Sequence, residues 1–307
     1  MNKLKHIISK MLSMDFKEIM RVCIARINRN NIILTDTQDK TTKGEVNLHW
    51  WKQKVRGENY NLGDFLSTIV VEYVKDLYGI SSNVSFDGKT KHLYGVGSIV
   101  DGGYQDATVW GSGVISNRLF WWRKKRRLDI RCCRGPLTRN IIIKNGYVCP
   151  EIYGDPALLM PLIYQPQRRE NKSNIILIHH CSVISNATTE NDIPVLSIVT
   201  DDYKSFIDSI CQAKKVISSS LHGIILAEAY GIPAVFLYEN GLDMTKFEDY
   251  YLSTGRRDFP IAHTIAEAKC IEASLIPDFT DMREKLIRAF PVDLYADSYK
   301  NNERNLQ

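Results

Sequence analysis

The chain has 307 residues, 44% of them hydrophobic and 24% charged, with a formal net charge of +5. That balance gives a folded core of ordinary composition, with no low-complexity tract, no repeat and no apolar run long enough to cross a bilayer. Seven cysteines without CxxC spacing argue against a secreted disulfide framework and for cytoplasmic thiols, and the basic N-terminus lacks the clean apolar segment of a secretory signal.

Residues 1–30 read as a basic amphipathic helical extension. Leu4, Ile7, Ile8, Met11, Leu12, Phe16, Ile19, Met20, Cys23, Ile24 and Ile27 recur at helical spacing, and seven Lys or Arg stand against Asp15 and Glu18. The stripe suits packing on the first domain or lying in a membrane interface. Residues 31–168 form the first α/β domain. Ile32, Ile33 and Leu34 read as a short strand, and residues 36–43 as a polar loop. Leu48-His49-Trp50-Trp51 brings aromatics near Arg56, which suits either burial or a sugar surface. Asn59 and Asn61 offer hydrogen bonds to a polyhydroxylated ligand. A helix begins near Asp64, which either caps it or faces a cleft as a base.

Leu93-Tyr94-Gly95-Val96-Gly97-Ser98 and Thr108-Val109-Trp110-Gly111-Ser112-Gly113 read as two strands entering glycine turns. Neither carries a complete phosphate-binding signature; the glycines, Gly111 among them, give room to a neighbouring element or to a ligand. The basic run Trp121-Trp122-Arg123-Lys124-Lys125-Arg126-Arg127 follows. It has no recognition motif for nucleic acid around it, and the readings left open are a solvated loop and contact with an anionic inner-membrane surface. A strand over 128–133 then leads to Arg134-Gly135-Pro136-Leu137-Thr138-Arg139, with Pro136 in the first turn of a helix. Arg134, at the strand end, is an anion clamp candidate, and Arg139 a weaker one. Cys132 and Cys133 are adjacent, so a strand points them to opposite faces. Asp155-Pro156 reads as a turn.

The polar stretch 165–174 is the expected linker, and residues 169–295 form the second domain. Asn174-Ile175-Ile176-Leu177-Ile178 is a buried strand ending in His179-His180, whose side chains face opposite ways and so do not make a paired metal site. Strands are expected over 194–198, 215–218 and 234–238, and helices over 203–213, 247–251, 265–275 and 279–290. The last residues, 296–307, form a polar tail. Between two of these strands lies Ser218-Ser219-Ser220-Leu221-His222-Gly223, where a strand turns sharply into a helix. In an open parallel sheet that edge faces the ligand. Glu239, after the next strand, lies near the same edge.

The set Asn61-Leu62-Gly63-Asp64, residues 109–113, Arg134-Gly135-Pro136-Leu137-Thr138, Gly154-Asp155-Pro156-Ala157 and Ser218-Ser219-Ser220-Leu221-His222-Gly223 resembles the polysaccharide pyruvyl transferase family over about residues 56–236. The resemblance implies two Rossmann-like domains around a cleft, in a GT-B-like arrangement. It implies transfer of the pyruvyl group of phosphoenolpyruvate to a sugar hydroxyl pair as a cyclic ketal. The sequence holds no convincing Asp, His and Cys constellation for a metal, so neither a metal nor a further cofactor is required. On that reading His222, Asp64 and Arg134 carry the chemistry. Asn59, Asn61, Gly111, Arg139, Ser219, Ser220, Leu221, Gly223 and Glu239 line the substrates. The acceptor is a sugar or a lipid-linked oligosaccharide of a surface polysaccharide, reached from the cytoplasm at the inner membrane face. Two other readings share these residues: a GT-B-like glycosyltransferase using a nucleotide sugar, and a noncatalytic membrane-associated assembly factor.

Overall fold

The computed structural model describes residues 33–34, 46–55, 59–80, 92–117, 126–166, 174–183, 188–239 and 241–295. The expected N-terminal extension, the polar loop 36–43, Arg56, the run from Trp121 to Lys125, most of the expected linker and the tail 296–307 lie outside the described residues.

The chain is α/β. Its first half runs β1 (Ile33–Leu34), β2 (Asn47–His49), α1 (Leu62–Leu77), β3 (His92–Tyr94), β4 (Gly103–Tyr104), β5 (Asp106–Trp110), β6 (Arg127–Cys132) and α2 (Pro136–Lys144). A 3-10 turn at Pro156–Leu159 and the short α3 (Met160–Ile163) lead to the second half. There follow β7 (Asn174–Ile178), β8 (Thr189–Glu190), β9 (Ile193–Pro194), α4 (Tyr203–Gln212), β10 (Ala213–Ser218) and α5 (Leu221–Ala229). The chain closes with β11 (Ala234–Leu237), α6 (Thr245–Ser253), β12 (Ile261–Ala262), α7 (Ile265–Cys270) and α8 (Thr280–Arg288).

Two four-stranded sheets result, ordered β2-β3-β5-β6 and β12-β11-β10-β7, and every pairing within them is parallel. Parallel neighbours need crossovers; α4, α5 and α6 supply them in turn in the second sheet. Side chains alternate along each strand. Leu93 and Trp110 face one hydrophobic cluster, while Tyr94 and Val109 face another. In the second sheet Ile176, Ile178, Val216 and Phe236 face that same first cluster, and Leu177, Ile217, Val235 and Leu237 face away from it. The inner faces of both sheets therefore meet one shared core, filled by α1 and α5.

Local sequence explains both helices. In α1, Leu62, Leu66, Val70 and Val74 fall at i, i+4 spacing and are fully buried. Asp64 in its first turn and Lys75 in its last complement the helix dipole, and Gly79, at φ +64°, ends it. Asn61 is its N-cap residue, so Asp64 lies inside the helix and is released from the capping role. All nine residues of α5 are buried. A helix without a polar face belongs at the centre of a fold.

Two expected elements differ, and one strand was not expected. The strand expected over 194–198 is shortened to a hairpin of β8 with β9 that pairs with the β7 edge at Val195 and Leu196, since Pro194 has no N–H to give to a ladder. The helix expected over 265–275 stops at Cys270, where the Lys215 ammonium takes the carbonyls of Ala268, Lys269 and Ile271. β12 joins the edge of the second sheet, a two-residue strand too short to be read from the sequence.

Candidate active site

His222 lies one residue into α5, whose N-cap residue Ser220 makes no side-chain cap bond. The first N–H groups of that helix are therefore left for a ligand. The turn before it is held by its own serines. Ser218 Oγ has its one proton within reach of the Ile178 carbonyl at 3.0 Å and the Ser220 carbonyl at 2.9 Å, and accepts the Ser220 N–H at 3.0 Å. Ser219 Oγ accepts the His180 N–H at 2.7 Å and keeps its own proton to give.

The His222 ring lies against Gly63 so closely that any Cβ there would run into it. Its other side faces Asp155, with Nε2 and Oδ2 3.5 Å apart. That is an ion-pair distance but falls short of a hydrogen bond, and both atoms are buried without a partner. Asp155 spends its other oxygen on the Ala157 N–H at 3.0 Å, capping the 3-10 turn. Asp64 follows Gly63. Its Oδ2 accepts from Asn61 Nδ2 at 2.7 Å, and Asn61 Oδ1 is left buried and unpaired. Burial pushes the Asp64 carboxyl above its ordinary range, opposed by the charge of His222 and the Asn61 bond. Three segments far apart in sequence thus meet at one imidazole, and three buried polar atoms among them lack partners. Buried polar atoms are ordinarily satisfied, and a substrate group or a water would satisfy these.

Positive charge stands beside it. Lys246, near the start of α6, is held down to about 8 by burial and then by Arg134. It acts in turn on both Asp64 and His180. His180 is lowered to about 4 by burial, then by Lys246, so it is a neutral imidazole at neutral pH. His179 points elsewhere, as adjacent strand-end residues must. Its Nδ1 meets Glu239 Oε1 at 2.6 Å and its Nε2 meets Glu190 Oε2 at 3.0 Å. Among the described residues no cluster of His, Cys, Asp and Glu is arranged to hold a metal.

Arg134 is fully buried. Its Nε donates to Asp249 Oδ2 at 3.1 Å, Nη1 to Ser98 Oγ at 2.6 Å and Nη2 to the Val114 carbonyl at 2.7 Å. Asp249 also accepts the Leu137 N–H at 2.9 Å, the Thr138 N–H at 3.0 Å and the Thr138 hydroxyl at 2.6 Å. The Arg134-Gly135-Pro136-Leu137-Thr138 motif is thus the seat in which α6 docks, and Asp249 caps α2 from the other half of the chain. Arg134 keeps N–H groups beyond these three bonds and lies close enough to depress Lys246.

Several expected contacts take other places. Gly111, at φ +84°, makes room for the Pro156 ring, and Gly223 for Ser218 Oγ; both serve packing. Leu221 is buried, so only its backbone can meet a ligand. Arg139 donates to the Cys149 carbonyl at 3.1 Å, away from His222. Asn59 sits on the rim, 3.4 Å from Asp201. Glu239 spends one oxygen on His179 and leaves Oε2 unpaired. The membrane-contact reading is corrected for Arg126 alone, which is 3% exposed and donates to the Tyr104 and Val100 carbonyls and to the Tyr94 hydroxyl. A guanidinium spent on internal acceptors has nothing to give to lipid. Arg127 is exposed and meets Asp106 at 3.1 Å.

Asp155 was expected as a turn within the motif set, and one of His179 and His180 at a cleft edge; Lys246 and Asp249 were not expected at the site. Asp155 had a signal in its Gly-Asp-Pro-Ala setting. Lys246 had none, since Asp243-Met244-Thr245-Lys246 reads as an ordinary helix start.

Residues 61–241 match the family model described as polysaccharide pyruvyl transferase. An uncharacterized protein of Acanthamoeba polyphaga mimivirus is similar too, 26% identical over 225 residues, covering 69% of this chain and 75% of that protein.

Proposed function

The chain belongs to the polysaccharide pyruvyl transferase family, and from that premise we propose that it transfers the pyruvyl group of phosphoenolpyruvate to two hydroxyls of a sugar, forming a cyclic ketal. The observation that carries this reading is His222, held between Gly63 and Asp155 with its Nε2 buried and unpaired.

Phosphoenolpyruvate brings a carboxylate and a phosphate. The free N–H groups opening α5, the Ser219 and Ser220 turn, Lys246 and the remaining donors of Arg134 supply the counterpart. His222 gives a proton to C3 of the enol, and C2 becomes electrophilic. A sugar hydroxyl adds to C2 and loses its proton to Asp64, whose raised carboxyl makes it a stronger base than an exposed aspartate. Phosphate leaves, and the second hydroxyl closes the ketal with loss of its own proton. Asp155 faces His222 Nε2 and orients the ring. The balance is one phosphoenolpyruvate and one diol to one ketal and one phosphate, with no cofactor drawn in.

The two parallel sheets with helix N-termini directed at one site support reading the halves as Rossmann-like in a GT-B-like arrangement. Asn59 on the rim and Asn61 beside Asp64 suit a polyhydroxylated acceptor. We assign that acceptor to a lipid-linked glycan of a surface polysaccharide such as a capsule. It would be met at the inner membrane face by a cytoplasmic enzyme, with the exposed Arg127 at the described end of the basic run.

The test is phosphate release from phosphoenolpyruvate against a panel of free and lipid-linked oligosaccharides. Release that depends on an acceptor, and that falls by roughly 10²- to 10⁴-fold in His222→Ala, supports the assignment. Release unchanged in that variant would remove His222 from the chemistry.

A further inference from the structure

Two thiols outside the site are placed to react with each other. Cys133 follows β6, and Cys149 lies in the connection after α2. Their Sγ atoms are 3.7 Å apart, so closure to a disulfide of about 2.05 Å needs a modest movement of one segment. The neighbouring Cys132 faces the opposite side, into the central core, and cannot compete.

The pair is asymmetric in the way a reactive dithiol requires. Arg139 donates to the Cys149 carbonyl at 3.1 Å, which brings its guanidinium beside the Cys149 thiol. The contact with Cys133 and the Arg139 charge favour the Cys149 thiolate. Because Arg139 stands on the Cys149 side of the pair, Cys149 is the nucleophile and Cys133 the resolving thiol. Cys149 is itself 4% exposed and lies just beneath the surface, next to Val148, which is 89% exposed.

The pair also sits on the frame of the site. The Cys133 N–H donates to the Ile152 carbonyl at 3.2 Å and its carbonyl accepts the Gly154 N–H at 3.1 Å. Cys133 is therefore bonded to the residue before Asp155 and is itself followed by Arg134.

We propose that Cys133 and Cys149 form a reversible disulfide in response to hydroperoxides, and that the bond lowers turnover by shifting the strand end that carries Arg134 and the turn that carries Asp155. The Cys149 thiolate attacks the distal oxygen of the hydroperoxide, breaking the O–O bond and releasing an alcohol or water. The resulting sulfenic acid is attacked by Cys133 sulfur, forming the S–S bond and expelling its oxygen as water. Two thiols and one hydroperoxide give one disulfide, one alcohol (or water) and one water. A dithiol reverses it.

The test treats the full chain with hydrogen peroxide and reads thiols by alkylation and tandem mass spectrometry, which separates Cys132 from Cys133 by fragment masses. The expected result is a Cys133–Cys149 cross-linked peptide that dithiothreitol removes. Cys149→Ser should give no such peptide, and Cys133→Ser should leave a sulfenic acid on Cys149 that dimedone traps. Circular dichroism of each variant confirms folding. Both cysteines remaining alkylatable after peroxide, in folded protein, would overturn the proposal. The second half rests on the proposed pyruvyl transfer and is read separately. Peroxide should lower phosphate release at least fivefold in the wild type, reversibly, and leave Cys149→Ser unaffected. A cross-link that leaves phosphate release unchanged would overturn the regulatory half alone.

Discussion

At the scale of single residues, Asp64 and Lys246 give opposite pH signatures. Burial raises the Asp64 carboxyl, so its base form is lost as pH falls through a value above the usual carboxylate range. The acid limb of kcat/KM should therefore lie higher than for an exposed aspartate, and Asp64→Asn should abolish activity along with that limb. The same shift affects stability with a definite sign. A folded pKa raised above the unfolded one contributes stability at low pH and loses it as pH rises through the folded value. The melting temperature of Asp64→Asn should thus gain on the wild type between pH 4 and pH 8, as read by thermal scans. Lys246 is held down to about 8, so its charge fades above that pH. kcat/KM for phosphoenolpyruvate should decline along an alkaline limb near pH 8, and Lys246→Arg should move that limb upward because a guanidinium stays charged. Lys246→Met should raise KM roughly tenfold to a hundredfold, the size of a lost charge-assisted bond. Asp155→Asn keeps an oxygen for the Ala157 N–H but removes the charge opposite His222. A large loss of kcat with little change in melting temperature is the expected outcome.

At the scale of elements, the telling contact is Asp249 of α6 at the N-terminus of α2. The sequence marked Arg134 as a ligand clamp because an arginine at a strand end offers paired donors to an anion. It could not show that a carboxylate 115 residues away would take the Nε–H. Asp249→Ala removes a cap and leaves a buried guanidinium short of its counter-ion, a change that costs about 3–5 kcal/mol. Urea unfolding measures it. If Arg134→Met combined with Asp249→Leu is as costly as the two single changes added together, the two residues are not coupled and the docking account fails. Other elements were legible for simple reasons. The helix starting at Pro136 announced itself by its proline, and the strands at 174–178 and 234–237 by their apolar runs, while the strand expected over 215–218 begins two residues earlier, through Lys214. The glycines at 97, 111 and 113 were rightly read as making room. Whether the occupant was a ligand or a neighbour depended on long-range packing: it is Asp64, Pro156 and Arg134 respectively.

At the scale of the whole molecule, one hydrophobic core joins the two sheets. Leu62, Leu66 and Val70 from the first half pack in the same cluster as Ile224, Ile225 and Phe236 from the second. The Leu62 N–H also donates to the Ile198 carbonyl at 2.9 Å across the halves. Calorimetry should therefore show one cooperative transition. Leu66→Ala, at a cost of about 2–5 kcal/mol, should shift it as a unit; two separated transitions would contradict a shared core. This core is also what assembles the site, because it fixes α1 against α5 and so Gly63 against His222. The sequence made the participants visible as motifs but not their contact, which depends on residues more than 150 positions apart. The central claim is pyruvyl transfer at that contact, and the most direct measurement uses phosphoenolpyruvate isotopically labelled at C2. The protein is incubated with this donor and a lipid-linked glycan, and the product is read by NMR. The account predicts that the label appears as a ketal carbon bonded to two sugar oxygens, and that His222→Ala loses the signal. Label remaining in phosphoenolpyruvate while the same glycan accepts a sugar from a nucleotide sugar would contradict it.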